Sequence, residues 1–407
     1  MKRFILKIRF NAKEVGKLLL IAAIFLFTMH YVYQYYADQG SIFFRLIVVF
    51  IALIYTAVCV FSAIFCRYTN KSYSFFMVAC FLISLLWSLL LVWVNGFDRG
   101  KMEGLILFGM IGGLWLRRYS MNVFRRFLTV VQIIGIVWFL YLLLLRGIDW
   151  SYVTWRGYVW TDIFYWACVY WAVVPATLLA IIDKKRMLLS IAYWICGVLF
   201  ELLFAKRYII VDSILIIVMV IFLFCKSIRI EKGTIIKVVL GIGIVAVSVC
   251  MIMEQPGINI ALDRTIARLG GTTVKGFDRF VEAKNFFADS NLLDVVLGRG
   301  FWSAHEYLDT YNPALHVGWA NFIFKGGIPY FLVAFIPTIT AYKNIFHVEK
   351  YSTEVKLAIA VLIIYSIRLM YLNLYSFAPE FIFFSWSCIT VMDGTKTWKG
   401  DIGDLGS

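Results

Sequence analysis

Two of the four histidines, His305 and His316, fall in the long polar stretch 254–317 of this 407-residue chain. An imidazole changes charge near neutral pH and can take a proton from a sugar hydroxyl, or it can serve as a hydrogen-bonded interfacial residue. No HxxxH spacing accompanies them and no third ligand is evident, so a zinc site is not expected. The same stretch is rich in arginine. Arg264 and Arg268, four apart in IALDRTIARL, share a helix face. Two guanidiniums on one face repel unless an anion sits between them, and Arg favours bidentate contacts to phosphate or carboxylate. The other reading of this segment is an amphipathic helix lying on anionic headgroups. In GFDRFVEAKNFFA, Phe277, Phe280, Val281 and Lys284 suggest a helix on the membrane surface, with Arg279 at its polar edge beside headgroup phosphates. In NLLDVVLGRGF, Gly298 and Gly300 flank Arg299 and allow a tight turn whose amides can face an anion. The Lys-Ser/Thr ending of a nucleotide-binding loop is missing.

Further cations stand at what reads as the outer rim of a membrane domain. Lys206 and Arg207 occupy a minimal turn between two apolar runs, and Arg368 lies near the outer end of another. Charge held there against the usual bias is either functional or part of an ion pair. Glu380, which opens the last apolar run, can pair with Arg368, and Glu306 beside His305 is the other candidate acid. The aromatic loop Trp150, Tyr152, Trp155, Tyr158, Trp160 reads as an interface belt or as a stacking surface for sugar rings.

The elements that must position these groups are written in the hydropathy. Hydrophobic residues make up 62% and charged residues 15% of the chain, and mean hydropathy is +0.84. The apolar residues come in blocks near the roughly 20-residue length that crosses a bilayer. Such blocks must satisfy their own backbone groups and are therefore helices, whereas an outer-membrane barrel shows shorter alternating segments. The expected fold is an all-α polytopic membrane protein of about 12 transmembrane helices. The spans are 18–36, 41–66, 72–95, 103–116, 124–145, 161–182, 187–204, 208–225, 236–253, 318–342, 355–374 and 377–392. Residues 1–253 hold the first nine, 254–317 form an extracytoplasmic loop carrying short helices, 318–392 hold the last three, and 393–407 are a cytoplasmic tail. The fourth span is short and carries Gly109, Gly112 and Gly113, so it tilts or re-enters.

Of the 39 Lys and Arg, 24 fall in loops that this map assigns to the cytoplasm and 12 in outer segments. That bias places both termini in the cytoplasm and explains the net charge of +15 without nucleic acid. The basic N-terminal residues precede a retained first helix rather than a cleaved signal. The eight cysteines lie in or beside apolar blocks without a CxxC pair and read as small core residues.

In order along the chain, Ala205-Lys206-Arg207, Gly276-Phe277-Asp278-Arg279, Leu297-Gly298-Arg299-Gly300-Phe301, His316 and Gly326-Gly327-Ile328 resemble the motifs of the bacterial O-antigen polymerase (Wzy-type) and O-antigen ligase superfamily. The resemblance covers mainly 200–335. Val317 after the histidine and Tyr330 in place of a second glycine depart from the ligase branch more than from the polymerase branch. It implies a GT-C-like glycosyltransferase in the bacterial cytoplasmic (inner) membrane, needing neither metal nor other cofactor. The substrates would be undecaprenyl-pyrophosphate-linked oligosaccharides, and the product a surface polysaccharide such as O-antigen, capsule or exopolysaccharide. The lipid bilayer, a flippase and a chain-length regulator are the expected partners. On this reading His316 is the base, and Arg207, Arg264, Arg268, Arg279 and Arg368 hold the pyrophosphate. Arg299, His305, Glu306 and Glu380 complete the candidate site. Two other readings are a ligase that moves glycan to lipid A-core and a transporter or flippase of lipid-linked oligosaccharide. The latter should show charged or Gly/Pro-broken spans in two matching halves.

Overall fold

The computed structural model describes residues 71–95, 113–114, 116–117, 121–140, 173–182, 186–203, 208–224, 279–301, 303, 305–307, 310–312, 315–370 and 379–401. The described residues are mostly helical. In chain order they form α1 (Lys71–Asn95), α2 (Met121–Leu140), α3 (Val173–Ile182), α4 (Met187–Leu203), α5 (Tyr208–Phe224), α6 (Arg279–Asp289), α7 (Leu292–Val296), β1 (His305–Tyr307), β2 (Thr310–Asn312), α8 (Gly318–Asn344), α9 (Thr353–Arg368) and α10 (Pro379–Asp401). A short 3-10 helix, Ile345–Lys350, joins α8 to α9. Two segments, Tyr73–Val94 and Gly318–Lys350, are long and apolar enough to cross a membrane, and Met187–Leu199, Val211–Ile221 and Phe381–Gly394 are shorter apolar stretches. The spans expected over 18–36, 41–66 and 236–253, and the aromatic loop 150–160, lie outside the described residues.

The expected boundaries can be compared where helices are described. The spans 72–95, 187–204, 208–225 and 318–342 coincide with α1, α4, α5 and α8 to within two residues at either end. The last differs more: α10 runs to Asp401, well past the apolar run, because no Pro or strong breaker follows and the helix continues into polar sequence. The all-α expectation needs one addition. The loop before α8 carries an antiparallel hairpin pairing His305 with Asn312 and Tyr307 with Thr310. Its tyrosines and threonine suit a pleated backbone better than a helix.

Small polar groups join the apolar helices. Down one side of α1, the Tyr73 hydroxyl donates to the Val333 carbonyl at 2.6 Å and Ser84 to the Gly326 carbonyl at 3.1 Å. Gln132 of α2 donates to Ser190 of α4 at 2.8 Å, and the Trp194 indole of α4 to Ser213 of α5 at 2.7 Å. Where both surroundings are apolar, such bonds and close packing hold helices together. The α9 helix is the centre of the body: Leu357, Ala358, Ile359, Ala360, Val361 and Leu362 are all fully buried.

The α8 and α9 helices run antiparallel. At one end the Trp319 amide donates to the Leu369 carbonyl and its indole to the Ser366 carbonyl at 3.1 Å. At the other, Arg117 donates to Glu354 at the start of α9 at 2.9 Å and stands 3.8 Å from Asp393 of α10. The residues before α8 and the Arg117 cluster therefore occupy opposite ends of the helical body.

Candidate functional site

The site is built at the α8 start by three short pieces of the preceding loop. The α6 helix buries Glu282, Ala283 and Phe286, and leaves Phe280, Val281 and Phe287 exposed. Ala283 and Phe286 pack with Leu315, Val317, Ala320 and Phe324 in a small apolar cluster of their own. The Phe286 and Phe324 rings meet edge to face at 5.3 Å. This packing turns Glu282, which shares the buried face, toward the residues just before α8.

Glu282 is 1% exposed and carries three hydrogen bonds. His305 Nε2 lies 2.7 Å from Oε1, the His316 amide donates to Oε2 at 2.7 Å, and His316 Nδ1 lies 3.0 Å from Oε2 and 3.2 Å from Oε1. The carboxylate thus fixes both the ring and the main chain of His316. Burial pushes the Glu282 carboxyl upward, but hydrogen bonds from His305 and His316, the neighbouring His316 charge and the His316 amide outweigh it. The group is lowered to about 2. With Glu282 ionised, each ring nitrogen facing it is a donor. When the His316 ring is neutral, its lone pair then lies on Nε2, the side a proton must reach. The His316 side chain is 27% exposed and that of His305 9%.

A second assembly holds the chain between α6 and α8. Asn291 and Asp294 form a capping box at the α7 N-terminus. Asp294 also accepts from Arg299 Nε at 3.2 Å, while Arg299 Nη2 donates to the Asp289 carbonyl at 3.1 Å and the guanidinium lies over the Phe286 ring. Arg299 is a clamp between α6 and α7. The turn expected at Gly298-Arg299-Gly300 is present, with φ of 82° and 88° at the two glycines. Two of its amides go to protein rather than to an anion: Arg299 N–H donates to the Phe324 carbonyl at 2.8 Å and Phe301 N–H to Ser88 Oγ at 3.0 Å.

This turn sits in a break in α8. Gly327 adopts φ 68° and ψ −166°, backbone open essentially to glycine alone. A side chain on Gly327 would strike the Val296 carbonyl, and one on Gly298 would strike the Gly326 and Gly327 amides. The two glycine motifs are the two halves of one close backbone contact. Lys325, 1% exposed, adds a tie by donating to the Phe301 and Ser303 carbonyls at 3.1 and 2.7 Å.

The candidate residues separate as follows. His316 and His305 come together on Glu282. Arg279 opens α6 one turn before Glu282. Glu306 is in β1 and Glu380 in the first turn of α10. Arg207, Arg264 and Arg268 lie outside the described residues. Arg368 ends α9, is 1% exposed, and donates to Asp212 of α5 at 3.2 Å. The ion-pair alternative considered for Arg368 therefore holds with Asp212 as a carboxylate partner, while the side chain of Glu380, the partner expected from the sequence, lies outside the described residues. Among the described residues no group of three or more His, Cys, Asp or Glu could hold a metal ion.

Sequence reasoning missed Glu282 and Asp212. Asp212 was findable as the lone acid in the apolar run YIIVDSILIIVMVIFLF, where a charge calls for a partner. Glu282 was not, because Phe280, Val281 and Lys284 mark α6 as a surface helix and say nothing of which residues its other side meets. No protein-family model, curated protein or solved structure matches the chain.

Proposed function

We propose that the chain is a polymerase of lipid-linked oligosaccharides, a metal-independent glycosyltransferase working at the outer face of a bacterial cytoplasmic membrane. In this reading it crosses the membrane about twelve times with both termini in the cytoplasm, in a GT-C-like arrangement. One observation carries the chemistry: the buried Glu282 carboxylate holds His316 Nδ1 at 3.0 Å beside the start of a helix long enough to span. A carboxylate behind an imidazole fixes its tautomer and stabilises the charge that forms when the ring takes a proton, the arrangement general-base catalysis needs.

The acceptor hydroxyl loses its proton to His316 Nε2, and its oxygen forms the new bond to the anomeric carbon of the donor. The bond from that carbon to the undecaprenyl pyrophosphate breaks, and the electron pair leaves with the phosphate. The charge growing there is met by arginines. Arg279, one turn from Glu282, is the candidate among the described residues, and the proposal adds Arg207, Arg264 and Arg268. Arg368, at the same end of α9 that meets Trp319, has its charge balanced by Asp212 and joins the set only if the pyrophosphate competes for it. The exposed Phe280, Val281 and Phe287 give the lipid tail or the bilayer an apolar surface next to that chemistry. A flippase that supplies the substrate and a regulator of chain length are the membrane partners this activity calls for.

The transporter reading can point to the α8 break at Gly327. Among the described residues that break is filled by the Gly298 turn and tied by Lys325, which favours a packing role for it. The deciding experiment replaces His316 with Ala in cells that assemble the polymer. Single repeat units should persist on the lipid carrier while the long-chain ladder disappears from gels. Long chains of normal length from that variant would remove His316 from the chemistry.

A further inference from the structure

Two imidazoles share the one carboxylate of Glu282, and their surroundings differ. His305 Nε2 lies 2.7 Å from Oε1, while its other nitrogen, Nδ1, is buried and has no hydrogen-bond partner among the described residues. The ring also stacks edge to face on Phe324 at 5.6 Å. With Nε2 donating to the carboxylate, the neutral ring leaves Nδ1 bare, and a proton added there would be a buried charged donor with no acceptor. His316 faces the same carboxylate through Nδ1 and is three times as exposed, at 27% against 9%.

We propose that His305 is a positioning residue. It is held as the Nε2–H tautomer, keeps that proton throughout the reaction, and pins Oε1 so that Glu282 presents Oε2 to the His316 amide and ring. Only His316 exchanges protons with substrate. The division of labour rests on the polymerase reading for the word substrate, but the tautomer assignment does not. Among the described residues the side chains hydrogen-bonded to Glu282 are His305 from β1 and His316 from the α8 approach. The cations near them are Arg279 and Lys284 on the same helix, Arg299, which donates to Asp294, and Lys325, which donates to the Phe301 and Ser303 carbonyls.

The test uses the full-length protein in lipid nanodiscs with 15N-labelled histidine. His30 and His347 are replaced by Gln so that two rings remain. The ring-nitrogen spectrum should show His305 protonated at Nε2 and bare at Nδ1. In His305→Gln, whose amide can donate to Oε1, the His316 Nδ1–H signal should stay sharp and cells should keep a polymer ladder within about threefold of normal. In His305→Ala the His316 signal should broaden and polymer should fall at least tenfold. The acid limb of its pH profile should move up, because Glu282 has lost the strongest of the hydrogen bonds that lower it. A merely structural role would reduce the amount of polymer without moving that limb. A proton found on His305 Nδ1 would overturn the proposal, as would His305→Gln losing the ladder as completely as His305→Ala. If His305→Ala does not fold, the wild-type spectrum and the Gln variant still decide. If wild-type protein makes no polymer, the polymerase reading fails and the spectrum alone judges the tautomer.

Discussion

At the scale of single residues the important number is the separation of charges around Glu282. One buried carboxylate faces two imidazoles and one amide, and those contacts lower it to about 2 from an ordinary value of 4.5. A carboxyl depressed on folding stabilises the protein above its unfolded pKa, and loses that contribution as pH falls through the folded value. The solubilised wild-type protein should therefore lose melting temperature between about pH 4.5 and 2. Glu282→Gln, which cannot ionise, should start lower at neutral pH and show a flatter slope in that window. Equal slopes in parallel thermal melts would show that Glu282 does not carry the effect. The Asp212–Arg368 pair behaves differently, because both partners are buried. Removing one strands the other, at a cost of about 3–5 kcal/mol, whereas replacing both with apolar residues of similar volume is often near neutral. Arg368→Leu alone should sharply lower the melting temperature, and Asp212→Leu with Arg368→Leu should recover most of it. If the double variant is as unstable as the single, the pair is not coupled as drawn.

At the scale of elements, the apolar runs were legible and the loop's inner face was not. A helix hydrophobic on every side announces itself by length and composition, so α1, α4, α5 and the body of α8 follow from counting. The α6 helix has two sides: Phe280, Val281 and Lys284, which read as the membrane-surface side, are exposed, and the opposite side packs through Phe286 on Phe324 and carries a carboxylate inward with it. That inner side was not legible because Glu282 finds its donors in residues distant in sequence. Counting cations also left Asp212 unread, although its position in an apolar run was the plainer signal. The glycine motifs were legible as turns, but their mutual contact was not, since Gly298 and Gly327 meet only in the folded chain. Gly327→Ala would force a side chain into the Val296 carbonyl at a positive φ, so it should destabilise the solubilised protein by about 2 kcal/mol or more. Chemical unfolding would measure this; a neutral result would mean that the break relaxes freely.

At the scale of the whole molecule, the arrangement gives two distinct ends. The Arg117–Glu354–Asp393 cluster marks one, and Trp319, Leu369 and the His316 approach mark the other. In the topology proposed above, the first faces the cytoplasm. A single cysteine placed at Lys284, on α6, should react with a membrane-impermeant maleimide added to intact spheroplasts, and one at Glu349, in the link between α8 and α9, only after lysis. Cys80, Cys196 and Cys388 are buried and should contribute little background, and the other five native cysteines are replaced by Ser beforehand. Labelling with the opposite sidedness would put the histidines out of reach of any exported glycan carrier.

The interruption of α8 also divides the helix mechanically. The portion ahead of Gly327 is nine residues, about 13 Å long, and is bolted through its glycines and Lys325 to the loop and to α1. The portion beyond it carries Pro329 and Pro337 and is fastened to α1 by the Tyr73 hydroxyl on the Val333 carbonyl. Both parts of α8 are thus anchored to one neighbour on either side of the joint, so the bend at Gly327 is a fixed angle that sets the direction in which the helix start approaches the histidines.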